Sequence, residues 1–303
     1  MQLTKLRAAP ERLDKVPPCA PAGQTDGGTA SQVIRRVRPS KDWTMDTWKF
    51  YDITHREHAV CNPTSEQKLT HLVELLRLPA DAQVVDIACG KGEFLIRLAE
   101  AYGVRGVGID TSPFVVADAE RRLEARASGA GITITQMNGA DFKPKEPHSF
   151  DLASCIGASW VFGGHADTLE ALIRIAKPGG WVIVGEPYWL QEPSEDYLEA
   201  SGVARGDFGS HFANAEAGER RGLDLICTIV SSKDDWDRYE GLQWYATAEY
   251  ARTHPDDPDL AEVVERVEKA RTTYLRWGRD TLGWAIYVFR VRTPRHSSRT
   301  SME

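Results

Sequence analysis

Val84-Val85-Asp86-Ile87-Ala88-Cys89-Gly90-Lys91-Gly92-Glu93-Phe94 decides the fold of this chain. Its first half is an apolar run of strand length. A Gly-x-Gly turn follows, and a helical pattern opens at Glu93, with Phe94, Leu95, Leu98 and Tyr102 on one face. Glycine lets a backbone turn sharply and come close to a ligand. The N–H groups of the helix start that follows face negative ligand groups. A dinucleotide fingerprint asks for a third glycine three residues after the second. Leu95 stands there, so a pyrophosphate pressed on this helix is disfavoured. Asp86, at the strand end, suits a cationic ligand group instead.

Outward from this turn the pattern alternates. Strands are expected over 83–89, 105–110, 132–137, 150–156 and 181–185, with helices over 93–102, 113–127 and 167–176. Such alternation implies βαβ units, a mainly parallel sheet and ligands at the carboxyl ends of the strands. A helix is expected to begin near Thr64, as N-cap, with Gln67 three residues on. After Tyr188 the rhythm breaks. Residues 192–222 are polar and glycine-rich, 223–231 and 284–292 read as strands, and 236–253 and 259–277 as two helices between them.

The chain has 303 residues, 42% of them hydrophobic and 27% charged, and a net charge of −7. Residues 1–41 carry eight basic and three acidic side chains, leaving −12 on the remainder. An acidic body disfavours a nucleic-acid partner, and without a long apolar run no membrane partner is expected. The five cysteines lack metal-site or disulfide spacing, so no metal is expected and a reduced, cytoplasmic setting fits. Residues 1–41 read as a mobile leader, 42–292 as one domain with lid segments near 189–222 and 234–282, and 293–303 as a disordered tail. Seven of the nine tryptophans lie in the second half, and several are expected in the lid and the substrate wall.

Two further strand ends carry acids. Asp110 closes Gly106-Val107-Gly108-Ile109-Asp110, where a carboxylate suits a ribose diol. Asp141 closes Asn138-Gly139-Ala140-Asp141, where it serves either an adenine amino group or the turn itself. The three strand ends together resemble class I S-adenosylmethionine (SAM) dependent methyltransferases. The likeness continues through 150–157 and the Lys177-Pro178-Gly179-Gly180 turn. A closer likeness, carried by Gly185-Glu186-Pro187-Tyr188-Trp189, Trp236-Asp237-Arg238-Tyr239-Glu240 and an approach segment over 55–62, is to bacterial small-molecule methyltransferases of undefined substrate. The resemblance implies an α/β, Rossmann-like, seven-stranded sheet with an antiparallel final strand and a helical lid insertion. It also implies SAM as cofactor and S-adenosyl-L-homocysteine as product. By the same likeness Ala88, Gly90 and Gly92 approach the methionine part, and Asp86 organises the loop and its ammonium. Asp110 and Thr111 hold the ribose, Ala140 and Asp141 flank adenine, and Ile156 and Gly157 line the methyl side. Asn62, in the approach segment, is a further cofactor contact.

Methyl transfer needs alignment, exclusion of water and, for a protonated nucleophile, a base. His165 and Glu186 are the candidate catalytic residues, each with a structural alternative as an ordinary helix-terminal or buried hydrogen-bonding group. Trp160, Tyr188 and Trp244 are the candidate substrate contacts. Asp235, Asp237 and Glu240 read as solvated or capping. The expected function is methyl transfer to an O, N or S nucleophile of a small molecule, by a monomer or homodimer. Three alternatives stay open: a nicotinamide-dependent oxidoreductase, a SAM-binding regulatory protein without turnover, and a protein or RNA methyltransferase recruited through the leader.

Overall fold

The computed structural model describes residues 43–293. The expected leader and all but the first residue of the expected tail lie outside the described residues. Two helices come first, α1 (Thr47–Thr54) and α2 (Glu66–Leu76). The alternating part follows as β1 (Gln83–Ile87), α3 (Glu93–Tyr102), β2 (Arg105–Asp110), α4 (Pro113–Ala127) and β3 (Gly131–Gln136). It continues through β4 (Phe150–Ile156), α5 (His165–Ile175) and β5 (Ala176–Trp189). The remainder is α6 (Glu195–Ser201), α7 (His211–Glu219), β6 (Leu223–Val230), α8 (Lys233–Thr253), α9 (Leu260–Thr273), α10 (Arg279–Thr281) and β7 (Leu282–Val291).

The seven strands form one sheet in the order β3-β2-β1-β4-β5-β7-β6. Strands β1 to β5 pair in parallel, and β7 runs antiparallel between β5 and β6. This is the expected Rossmann-like architecture. Strand β1 lies between β2 and β4, with helices packed on both faces of the sheet, so its apolar run is continuous. Val84 packs with Leu72 and Leu76 of α2 and Leu95 and Leu98 of α3. Val85 and Ile87 face the other way, with Leu169 and Leu172 of α5 and Phe289 of β7.

Three local expectations change. Ser65, not Thr64, caps α2 by accepting from the Lys68 N–H. Thr64 is buried, and its hydroxyl accepts from Trp284 Nε1 at 3.1 Å. Part of the segment expected as a first lid is a sheet layer instead: α7 lies against the sheet, and Gly218 of α7 stands directly over the Phe289 ring. Helix α9 does not run regularly to 277. A wider π-turn, Tyr274–Gly278, ends it. Such turns often sit at functional sites.

The insertion between β6 and β7 packs on α1, an N-terminal helix that the periodicity did not reveal. Met45, Ile53, Tyr250 and Val263 form a small separate core with Phe50 and Leu260. Lys49 of α1 bonds Asp257 at 2.9 Å and Asp259 at 2.7 Å. Lys68 of α2 bonds Asp235 of α8, and Asp235 also completes a capping box with Ser232. Asp237 takes a two-pronged bond from Arg279 and a 2.7 Å bond from the Tyr274 hydroxyl. Among the described residues no helix is long and apolar enough to cross a membrane.

Gly218 and Gly241 separate packing from propensity. A Cβ on Gly218 would come within 2.4 Å of the Phe289 ring, whereas one on Gly241 meets nothing within 4 Å. Gly218→Ala is expected to cost about 1–3 kcal/mol by overpacking. Gly241→Ala, inside α8, should be neutral or stabilise by up to about 1 kcal/mol. Chemical denaturation of the two variants checks the contrast.

Candidate active site

The turn after β1 is built from left-handed residues: Ala88 has φ +56, Gly90 +53 and Gly92 +72. Gly92 is the N-cap of α3 and offers no capping side chain, so the helix start faces the turn uncapped. Cys89 N–H donates to Ile109 O at 2.9 Å, and Gly92 N–H to Cys89 O at 3.0 Å. The Cys89 thiol is only partly buried but closely surrounded, and burial raises it well above its ordinary value. That favours packing over nucleophilic chemistry.

Asp110 faces this turn from β2. Its carboxylate accepts from Gly90 N–H and Ser112 N–H, both at 3.0 Å. A carboxylate has about four acceptor positions, so these donors do not exhaust it. Burial raises Asp110 above the usual range, and backbone donors from Ser112, Gly90 and Thr111 oppose that shift. Thr111 is exposed beside it, and its carbonyl accepts from Gln136 Nε2. In the next turn Asn138 does the capping, accepting from Ala140 N–H at 3.0 Å. Asp141 and Ala140 are exposed on the same edge. Among the described residues the Asp141 carboxylate makes no hydrogen bond or ion pair, so the turn itself does not use it. Ile156 and Gly157 end β4 half-buried. Asn62 Cβ lies 3.5 Å from where a Gly157 Cβ would be, and Cys61 lies 3.8 Å from the same point on Gly90. The approach segment therefore crosses both turns.

Asp86 lies in β1 just before the turn. It is 3% exposed and accepts from Ser154 Oγ at 2.7 Å. Burial raises it to about 7, against the Ser154 bond. It braces β1 on β4 beneath the turn through that bond.

Lys91 lies between the two glycines and is 8% exposed. Its ammonium donates to His55 O at 2.9 Å and Arg56 O at 3.1 Å and pairs with Asp118 at 3.5 Å. The Thr54 hydroxyl donates to Phe50 O and lies 3.0 Å from His55 Nδ1. That network places the His55 proton on Nδ1, so Nε2 accepts from the Tyr239 hydroxyl at 2.9 Å. His58 Nε2 donates to the Tyr239 carbonyl at 2.9 Å. Burial lowers His55 to about 3 and His58 to about 4, so both are neutral. Lys91 and Tyr239 thus tie the turn to α8. Tyr239 stands in a motif that the sequence singles out, whereas Lys91 was missed; a lysine between two glycines was the available signal.

Of the catalytic candidates, His165 starts α5, and its Nε2 donates to Asn214 O at 2.9 Å. Burial lowers it to about 4, and its Nδ1 is sealed without a partner. Glu186 is 3% exposed at the end of β5. Its Oε2 is sealed without a partner. Burial raises it to about 7, with Ser159 opposing. Trp160, one residue on from Ser159, is 50% exposed, while Tyr188 is buried against Gly283. Trp244 stands in the lid, 6.2 Å from the Tyr274 ring, far in sequence from the rim residues.

The late tryptophans divide. Trp236 and Trp244 belong to the lid. Trp181 packs at the opposite sheet edge, under Arg290 and bonded to Leu76 O. Trp284 fills the space left by Gly157 and Gly185.

A glycine turn under an uncapped helix, the Asp110 carboxylate on β2 and the exposed Asp141 after β3 thus come together at the carboxyl edge of the sheet. The methyltransferase domain family matches residues 84–180. The uncharacterised Escherichia coli protein YjhP is 32% identical over 250 residues, 82% of this chain and all of the relative; its crystal structure superposes with a TM-score of 0.75. A SAM-dependent methyltransferase from Geobacter sulfurreducens, solved with S-adenosyl-L-homocysteine, is 31% identical over 80% of this chain and 98% of that one, with a TM-score of 0.76. A ubiquinone biosynthesis O-methyltransferase from Methylococcus capsulatus is 31% identical over 55% of this chain and 77% of its own. The chain belongs to the SAM-dependent methyltransferases, and its cofactor is SAM. That membership overturns the nicotinamide alternative.

Asp110→Ala removes the acceptors on Gly90 and on the ribose position. Charge-assisted bonds of this kind contribute about 1.5–3 kcal/mol each. The variant is expected to bind S-adenosyl-L-homocysteine about ten- to a hundredfold more weakly by calorimetry, with Asp110→Asn in between.

Proposed function

We propose that the protein methylates a small-molecule O, N or S nucleophile held between the β4–β5 rim and the lid, with Glu186 taking the acceptor's proton. The observation that carries this reading is Glu186 itself, a buried carboxyl with an unpartnered oxygen at the end of β5. A base works best when its pKa is near the working pH, and burial brings Glu186 to about 7.

The glycine turn and Asp110 fit SAM, whose contribution when bound is a methyl carbon on a sulfonium, open to in-line attack. The chain's own residues do the rest. Gly90 and Gly92 let the backbone come close to the methionine part, Asp110 holds the ribose, and Asp141 and Ala140 flank adenine. Asn62 and Cys61 cover the two turns and exclude water. Tyr188 and the half-exposed Trp160 shape the acceptor side of the rim, and Trp244 closes it from the lid. Proximity of this kind supplies up to about 7–11 kcal/mol of a barrier. His165, its proton fixed toward Asn214 O, is a positioning residue for the start of α5 and the Ser159–Glu186 pair rather than a second base. The charge of −12 outside the leader supports a free small molecule over nucleic acid. A cytoplasmic monomer or homodimer fits the same reading.

Glu186→Gln tests it twice. Turnover should fall about a hundredfold or more, with SAM affinity unchanged; full activity in the variant rejects Glu186 as base. The second readout is stability. The folded carboxyl holds its proton up to about 7, against an ordinary value of 4.5. The unfolded chain releases its proton earlier, so this group's effect on wild-type stability worsens as pH rises from about 4.5 through about 7. Thermal denaturation should therefore find Glu186→Gln more stable than wild type at pH 8, with the advantage gone at pH 4.

A further inference from the structure

Helix α8 places Trp236, Glu240 and Trp244 one turn apart, with Thr247 three residues further along the same face. Glu240 was expected to be solvated or a cap, and it is neither. Its carboxyl has no hydrogen bond and no ion pair among the described residues. Two acidic neighbours are engaged, Asp235 by Lys68 and Asp237 by Arg279. Nor is a cation at hand: Arg279 is taken up by Asp237, and Arg238 turns to Glu66 at 3.5 Å.

Aromatic groups surround this carboxyl instead. Tyr274 stacks on Trp236 with centroids 6.2 Å apart and lies 6.2 Å from Trp244. Burial raises the Tyr197, Tyr239 and Tyr274 phenols, and the nearby charge of Glu240 adds to each. Two more polar atoms on the same face, Trp236 Nε1 and Thr247 Oγ1, are sealed without partners. Three unmet polar groups on one helix face are costly in a folded protein. A ligand that brings a cation for the carboxylate and an acceptor for the indole N–H would satisfy most of them. The face also adjoins the cofactor turn, because Tyr239, the neighbour of Glu240, connects through His55 to Lys91. Burial raises Glu240 to about 7, which agrees with a carboxyl missing its counter-charge.

We infer that this face of α8 is the acceptor subsite and that it takes a small organic amine, its ammonium against Glu240 and the rings of Trp236, Trp244 and Tyr274. The inference rests on the reading of the chain as a small-molecule methyltransferase. Its test is calorimetry, with and without S-adenosyl-L-homocysteine, using ethanolamine, N,N-dimethylethanolamine, choline and the neutral carbon isostere of choline. At least one amine should bind wild type about tenfold more tightly than the isostere. Glu240→Gln should abolish that preference while leaving S-adenosyl-L-homocysteine affinity unchanged. Trp236→Phe, which keeps a ring and drops the N–H, should retain the preference. Equal binding of amine and isostere, no amine binding at all, or a preference that survives Glu240→Gln overturns the subsite. Loss of S-adenosyl-L-homocysteine binding in wild type would instead overturn the cofactor reading, and it shows in the same titrations.

Discussion

A buried ammonium must find acceptors, and the site is organised by how Lys91 finds them. It sits inside the glycine turn, where water cannot serve it, and it is held by two carbonyls of the segment after α1 and by Asp118 of α4. Leaving such a charge unpaired costs several kcal/mol in general. The approach segment therefore lies over the turn, and Cys61 and Asn62 fall against Gly90 and Gly157. The same segment presents His55 and His58 to Tyr239, which orients α8. One desolvated cation thus links the cofactor turn, the N-terminal cover and the lid.

The lid is held by charge at its edges and by rings within. Lys49, Lys68 and Arg279 each join elements distant in sequence. Their partners are partly exposed, where ion pairs contribute modestly and salt screens them. The interior rests on the small core around Met45, Ile53, Tyr250 and Val263. A cap with a small core of its own and exposed ties is suited to opening locally without disturbing the sheet.

Much of the fold was legible because burial on both faces of a parallel sheet writes itself as short apolar runs. Val84 to Ile87, Arg105 to Asp110 and Phe150 to Ile156 read directly as strands, and Gly-x-Gly marked the turn. The place of Asp110 was legible too, since an acid that ends the strand beside β1 falls at the same sheet edge as the glycine turn, and it bonds the Gly90 N–H there. Asp86 was half-legible: its strand end was clear, but Ser154 lies 68 residues away, and only the pairing of β1 with β4 brings the two together. The ring faces of Trp181 and Trp284 could not be assigned either, because residues with large rings pack wherever smaller ones leave room, as Gly157 and Gly185 do for Trp284.

Local pattern alone therefore determined the strands, the parallel sheet and the glycine turn, because backbone geometry and burial act over a few residues, and the likeness of its strand ends to a known family implied the methyltransferase class. Only the tertiary structure decided which polar groups are satisfied. Glu240 and Asp237 look alike in sequence, three residues apart on one acidic helix, yet one is held by Arg279 and the other is left without a partner. Desolvation and pairing depend on neighbours from other elements, and those neighbours exist only once the chain has folded.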